Sequence, residues 1–189
     1  MSLRVVFLGP PGAGKGTQAR ALAAEHDLAH IATGDMLRAA IAAGTPLGAQ
    51  AKAYYDRGAL VPDSLVIGML RERLQHGDTT KGFILDGFPR TLAQAEALER
   101  LLKDLGQDLD RVIFFDVPEA ELLRRLSARR EVEGRADDTD EAITNRLRVY
   151  AAQTAPLLDY YRNRSLLAPV TGVGTIEAIG GAVRQALGR

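Results

Sequence analysis

The stretch "GPPGAGKGTQ", Gly9–Gln18, decides the fold, because it joins the apolar run "LRVVFL" (3–8) to the helix-like "ARALAAEH" (19–26). A glycine-rich turn from strand to helix aims several backbone N–H groups and the positive end of the helix dipole at one point. Small residues let an anion approach that point, and Lys15 adds a positive charge on a flexible stem. The segment is built to cradle phosphate.

Gly9 to Lys15 fits the first seven positions of the P-loop pattern G-x-x-x-x-G-K-[ST]. The eighth position departs from it. Gly16 stands where Ser or Thr belongs and Thr17 comes one residue late, so the usual hydroxyl ligand for magnesium is missing from its place.

Further along, "GFILD" (82–86) and "RVIFFDV" (111–117) are short, apolar and rich in β-branched or aromatic residues, as expected of strands covered on both faces. "LAHIA" (28–32) and "LLAPVT" (166–171) are weaker candidates, and Pro169 suits the second to an edge. Helical patterns over 16–25, 92–105, 119–130, 141–162 and 176–187 lie between or after them. This alternation predicts a parallel sheet wrapped by helices. Residues 33–75 break the rhythm with helix after helix and no strand. Asp35 can cap the first, which stops at Gly44; "TP" (45–46) and "PD" (62–63) can start two more, stopping at Gly58 and near Gly77. A helical insertion on the sheet core is expected.

With 189 residues, 46% of them hydrophobic, the chain can form one domain with a proper core. No apolar run approaches the ~18 residues of a membrane span, and the N-terminus lacks the pattern of a signal peptide. The absence of cysteine excludes disulfides and thiolate metal sites and agrees with a cytoplasmic location. The 24 basic and 24 acidic residues cancel, which disfavours a general nucleic-acid or membrane-surface binder. Only Lys15, Lys52, Lys81 and Lys103 are lysines, so 20 of the 24 basic residues are arginine. Arg124, Arg125, Arg129, Arg130 and Arg135 crowd one region, where guanidinium forks could grip phosphate. Asp86 ends an apolar run at the C-terminal end of a central strand, where ligands collect, and is a candidate to hold magnesium directly or through water, or to serve as a turn or cap. Asp116 reads as a turn or cap, and His26, His30 and His76 as structural or solvated.

Eight stretches then recur together: "GPPGAGKGTQ" (9–18), "ATGDMLR" (32–38), "GALVPD" (58–63), "LDGFPRTLAQA" (85–95), "RRLSARR" (124–130), "GRADD" (134–138), "NRLRVY" (145–150) and "TAPLLDYY" (154–161). In kind and order they resemble the nucleoside monophosphate kinases, and most closely the adenylate kinase family. The resemblance implies a P-loop NTPase-type α/β fold: a parallel sheet of about five strands with helices on both faces. It also implies one kinase domain over 1–189, an AMP-binding insertion at 32–61 and a short lid at 128–138. The implied reaction is MgATP plus AMP giving two ADP. Lid closure is a known property of adenylate kinases, carried over from the family.

By the same resemblance, Gly12, Ala13, Gly14, Lys15, Gly16 and Thr17 surround the ATP phosphates. Arg125 and Arg129 serve the ATP side, and Gly174 offers its backbone to the adenine of ATP. Thr33, Arg38, Ala59, Leu60, Val61, Gly87, Phe88, Pro89, Arg90 and Gln94 resemble AMP contacts. Arg135 and Arg146 close on the phosphates, AMP included, from the lid side. The implied catalytic set is Lys15, Arg90, Arg129, Arg135 and Arg146, with Asp86 at the metal. Magnesium accompanies ATP, and no zinc is expected because long cysteine-bearing lids are absent. Partners are the nucleotides ATP, AMP and ADP, without nucleic acid or membrane, and the protein is expected to be a monomer.

Two rivals stay open. A uridylate/cytidylate kinase would share the loop and "DGFPR", but typically has Asn next, where this chain has Thr91, followed by Gln94. The Gln94 amide can pair with adenine through one donor and one acceptor. A non-catalytic nucleotide-binding module would leave the arginines and the helical insertion unexplained, and no N-K-x-D motif is present.

Overall fold

The computed structural model describes residues 2–133 and 139–188. Its centre is a five-stranded sheet of β1 (Leu3–Leu8), β2 (Ala29–Ala32), β3 (Gly82–Asp86), β4 (Arg111–Asp116) and β5 (Leu167–Thr171). The order is β2-β3-β1-β4-β5 and every pairing is parallel. Parallel neighbours need crossovers, and helices on both faces supply them. Alternation along β1 shows why the strands read as apolar throughout. Val6 and Leu8 face one core with Phe83, Leu85, Leu98 and Leu157, while Val5 and Phe7 face the other with Ile84, Leu22, Leu122 and Val183. Pro169, which cannot donate to a ladder, lies in β5 at the sheet edge.

The glycine loop lies between β1, the central strand, and α1 (Lys15–His26). The chain then turns one way to β2 and later crosses back to β4, so the loop sits at the point where the strand order reverses. Parallel register aligns Phe7 with Asp86 and Asp86 with Ala32, bringing the C-terminal ends of β1, β2 and β3 to one rim.

Between β2 and β3 run α2 (Thr33–Ala42), α3 (Pro46–Tyr55), α4 (Asp63–Leu74) and a 3-10 turn (Gly77–Thr79). Thr45 caps α3 as expected, its hydroxyl accepting from Gly48 N at 3.0 Å with Pro46 behind it. Asp35 does not cap α2. The helix already begins at Thr33, which places Asp35 in its first turn, where it pairs with Arg38. Beyond β3, α5 (Leu92–Asp104) and α6 (Glu119–Glu133) flank β4.

The helix expected over 141–162 is three pieces: α7 (Asp140–Val149), a π-helical turn (Tyr150–Thr154) and α8 (Leu157–Arg162). Pro156 has no N–H for the ladder and its ring crowds the carbonyl four residues back. The chain widens just before it, with Ala155 N bonding Tyr150 O at 2.8 Å. The last helix, α9 (Ile176–Ala186), packs on β5 and α1. Among the described residues, no helix is long and apolar enough to cross a membrane.

Candidate active site

The loop holds its shape by backbone geometry that suits glycine. Gly12 and Gly14 have φ of 82° and 87°. At Gly12 space is also the constraint, since a Cβ there would meet Leu126 Cγ at 2.9 Å and Leu122 O at 3.1 Å. The loop is thus pressed onto α6, the helix that carries the arginine cluster.

A cavity of about 170 Å³ opens over the loop. Gly12, Ala13, Gly14, Lys15, Gly16 and Thr17 form one wall, and Arg38, Asp86, Gly87, Arg90, Arg129 and Arg146 complete it. Arg20 also lines it, so the fold gathers one lysine and five arginines, Arg20, Arg38, Arg90, Arg129 and Arg146, that are spread over the chain. A second cavity, of about 40 Å³, shares Gly34, Gly87 and Arg90 with the first and is lined by Thr33, Ala59, Leu60, Val61 and Gln94. A third, of about 60 Å³, runs from Lys15 past Pro89, Arg90 and Arg146 to Thr154.

Lys15 donates to Gly9 O and Pro10 O, each at 2.9 Å. Burial lowers its pKa to about 8, helped by the charges of Arg90, Arg146 and Arg129 and opposed by Asp86. Burial pushes Asp86 up, but His30 and Lys15 outweigh it and hold the carboxyl below its ordinary value. His30 Nε2 lies 3.5 Å from Asp86 Oδ2, with side chains 17% and 15% exposed.

Around the second cavity, Thr33 Oγ1 donates to Gly87 O at 3.0 Å. Arg38 pairs with Asp35 and donates to Tyr55 Oη. A cis peptide joins Phe88 to Pro89. The Phe88 side chain is buried in the core, so only its backbone can face a ligand. Arg90 is fixed at three points: its N–H donates to Gln94 Oε1 at 2.7 Å, Nε donates to Gly87 O at 2.8 Å, and its carbonyl accepts from Thr154 Oγ1 at 2.8 Å. The π-helical turn thus braces the loop after β3.

On the other side of the glycine loop, Arg125 donates to Glu121 Oε1 at 2.7 Å and to Gly172 O at 2.9 Å. That bond ties α6 to the turn after β5, where Gly174 is exposed with φ of 130°. Neither residue lines the phosphate cavity. Arg129 does, whereas Arg124 pairs with Glu121 and Arg130 with Asp140. Arg135 lies outside the described residues.

Several participants escaped the sequence. Arg20 lines the cavity, four residues after Gly16 and so on the same face of α1; that helical spacing could have found it. His30 reads from the sequence as structural or solvated, and only pairing of β2 with β3 sets it beside Asp86. The bonds of Asp63 to Thr91 and to Gln94 of α5, and of Thr154 to the Arg90 carbonyl, have no local signal.

A parallel sheet with a P-loop at its central strand, and a cationic cavity over that loop joined to a second pocket, define a P-loop phosphotransferase that handles nucleotide phosphates. The comparisons with known proteins narrow the class. A family model described as adenylate kinase matches residues 7–166. The adenylate kinase of Stenotrophomonas maltophilia strain K279a is 52% identical over 185 residues, covering 98% of this chain and 99% of its own. That of Thermodesulfovibrio yellowstonii is 50% identical over 204 residues, with 94% and 95% covered. One from Cyanothece sp. strain PCC 7425 reaches 57% over 169 residues, with 89% and 87% covered. The chain belongs to the adenylate kinase family.

Proposed function

We propose that the two joined cavities transfer the γ-phosphoryl group of MgATP to AMP, reversibly, giving two ADP. Family membership supports the ATP:AMP phosphotransferase activity. The observation that carries the residue assignment is the single cavity in which Lys15, Arg38, Arg90, Arg129 and Arg146 meet the glycine loop.

The chemistry needs cations more than a base. The AMP phosphate has a second pKa of about 6 and is already largely a dianion near neutral pH. Its oxygen attacks the γ-phosphorus in line; the bond to the β–γ bridging oxygen breaks, and that oxygen keeps the electron pair as ADP leaves. The difficulty is bringing ~4 negative charges on ATP against ~2 on AMP. The loop N–H groups and Lys15 hold the ATP phosphates, Arg38 and Arg90 the AMP phosphate. Arg129 and Arg146, joined by Arg135, stabilise charge on the group in transit. Gln94 meets the adenine of AMP in the smaller cavity, Arg125 serves the ATP side, and Gly174 offers its backbone to the adenine of ATP. The segments 32–61 and 128–138 act as the AMP-binding insertion and the short lid, closing to exclude water, the competing nucleophile.

Magnesium fits this site through one carboxylate. Asp86 faces the phosphate cavity and is held ionised, which suits an ion that takes one or two carboxylates and fills its shell with water and phosphate oxygens. Bound there, it would neutralise charge on the β- and γ-phosphates. Among the described residues no cluster of three His, Cys, Asp or Glu side chains offers a richer metal site. The enzyme acts as a monomer in the cytoplasm on free nucleotides.

A coupled assay with MgATP and each of AMP, CMP, UMP and GMP tests the assignment. AMP is expected to be the preferred acceptor by a wide margin. Preference for CMP or UMP would make the chain a pyrimidine nucleotide kinase, and ATP turnover indifferent to any acceptor would refute phosphoryl transfer to a monophosphate.

A further inference from the structure

Gln94 is only 2% exposed, and both ends of its amide are engaged. Oε1 accepts from Arg90 N at 2.7 Å, and Nε2 donates to Asp63 Oδ1 at 2.7 Å. The Thr91 hydroxyl accepts from Gln94 N at 3.1 Å and reaches Asp63 Oδ2 at 3.3 Å, so the carboxylate, the first residue of α4, is held from a second side.

A backbone N–H can only donate and a carboxylate can only accept. Turning the Gln94 amide by half a revolution would set its NH₂ against the Arg90 N–H and its carbonyl oxygen against Asp63. Both bonds would become repulsions. In the observed orientation the amide keeps one spare lone pair on Oε1 and one spare N–H on Nε2, in an order that cannot be exchanged. Adenine matches that order, because its N6 amino group donates and its N1 accepts. Hypoxanthine carries the reverse pattern, with O6 accepting and N1–H donating, as do guanine and uracil; cytosine shares the pattern of adenine.

We infer that Asp63 is a specificity-determining positioning residue: with the Arg90 N–H it locks the Gln94 amide in the orientation that accepts a 6-aminopurine monophosphate and rejects a 6-oxopurine one. This rests on the proposal that Gln94 meets the base of AMP. The lock discriminates by hydrogen-bond polarity, while the fit of the apolar walls from Val61 and Leu60 discriminates by size.

The test compares kcat/KM for AMP and IMP as acceptors, with MgATP saturating, in the wild type, Asp63→Asn, Gln94→Ala and the double variant. An asparagine can turn its own amide to meet either orientation of Gln94. The AMP-to-IMP ratio is therefore expected to fall ~10-fold or more in Asp63→Asn, as for loss of one charge-assisted hydrogen bond. It is expected to fall in Gln94→Ala also, and no further in the double variant. Asp63→Ser, a residue that starts helices well, provides a second variant should Asp63→Asn fold poorly, as judged by circular dichroism and thermal unfolding. A purely structural Asp63 would lower both rates together and leave the ratio unchanged, which overturns the inference. Equal effects of Asp63→Asn in the wild-type and Gln94→Ala backgrounds also overturn it, because Asp63 would then act without the amide. If Gln94→Ala itself keeps the wild-type ratio, the assignment of Gln94 to the base fails, and the lock with it. Loss of the ratio in Gln94→Ala but not in either Asp63 variant defeats the lock alone.

Discussion

Binding of MgATP is expected to draw a proton onto Lys15 at alkaline pH. The Lys15 ammonium has a pKa lowered from 10.5 to about 8, first by burial and then by Arg90, Arg146 and Arg129. The charged form is thereby disfavoured by an amount on the order of 3 kcal/mol. The polyphosphate places several negative charges against the same ammonium and reverses the balance. At pH 9 the free side chain is only about one-tenth protonated, so nearly one proton is taken up per nucleotide bound. Nucleotide phosphates are already ionised there, their second pKa being about 6, and contribute little. Calorimetric titration with MgATP in buffers of different ionisation enthalpy, at pH 7, 8 and 9, measures the uptake directly. It is expected to be small at pH 7 and to approach one at pH 9, while kcat/KM for MgATP declines above about pH 8 and kcat declines later. The folding linkage has a definite sign. Between about pH 8 and 10 the unfolded chain holds the Lys15 proton that the folded chain has released, so this group makes stability rise with pH. Above pH 10 the trend reverses, because burial raises Tyr150 to about 12 and also raises Tyr161, and the folded state then binds more protons. Absence of proton uptake at pH 9, or equal uptake in Lys15→Met, would refute the reasoning.

Arg129→Ala is expected to lower kcat by ~10³-fold or more with a smaller effect on equilibrium nucleotide binding, as for loss of an arginine that meets the phosphoryl group mainly in transit. Arg124→Ala and Arg130→Ala, whose side chains pair with Glu121 and Asp140, serve as controls and are expected to lose far less; parallel losses in all three would place the catalytic arginine elsewhere. Gly12→Ala puts a Cβ against Leu126 and Leu122 O at positive φ, and is expected to cost about 2–5 kcal/mol in denaturant unfolding. Activity is expected to survive a zinc-selective chelator and to fail when magnesium is withdrawn; stoichiometric zinc in the purified protein, with unfolding on chelation, would contradict the short-lid assignment.

The parts legible in the sequence are those set by local pattern or by a motif with its own mechanics. Strands buried on both faces announce themselves as apolar runs, and Thr45 with Pro46 signals the start of α3 because a cap acts within one turn. The break near Pro156 is only half written in the local sequence. The residue that interrupts the ladder is visible, yet whether the chain kinks, stops or widens depends on what Thr154 reaches, and that is the Arg90 carbonyl on a distant loop. Gln94 shows the same limit. The family resemblance assigns it to AMP, but its two bonds to Arg90 and Asp63 arise only once α4 and α5 are packed.

Gly16 carries this argument furthest. In the sequence it is a defect, a missing hydroxyl in an otherwise complete phosphate loop. The structure shows what stands there instead: a Cβ at position 16 would lie 3.3 Å from Asp86 Oδ2 and 3.5 Å from an Arg20 nitrogen. Parallel register between β1 and β3 delivers the Asp86 carboxylate to the rim beside the loop, and the bare glycine leaves room for it. The missing hydroxyl and the buried carboxylate are therefore one feature. A serine at 16 would crowd Asp86 by a few tenths of an ångström and offer it a competing donor, so restoring the consensus is expected to weaken the site rather than complete it. Measuring MgATP affinity and kcat for Gly16→Ser checks this, and a gain in both would show that loop and carboxylate are independent.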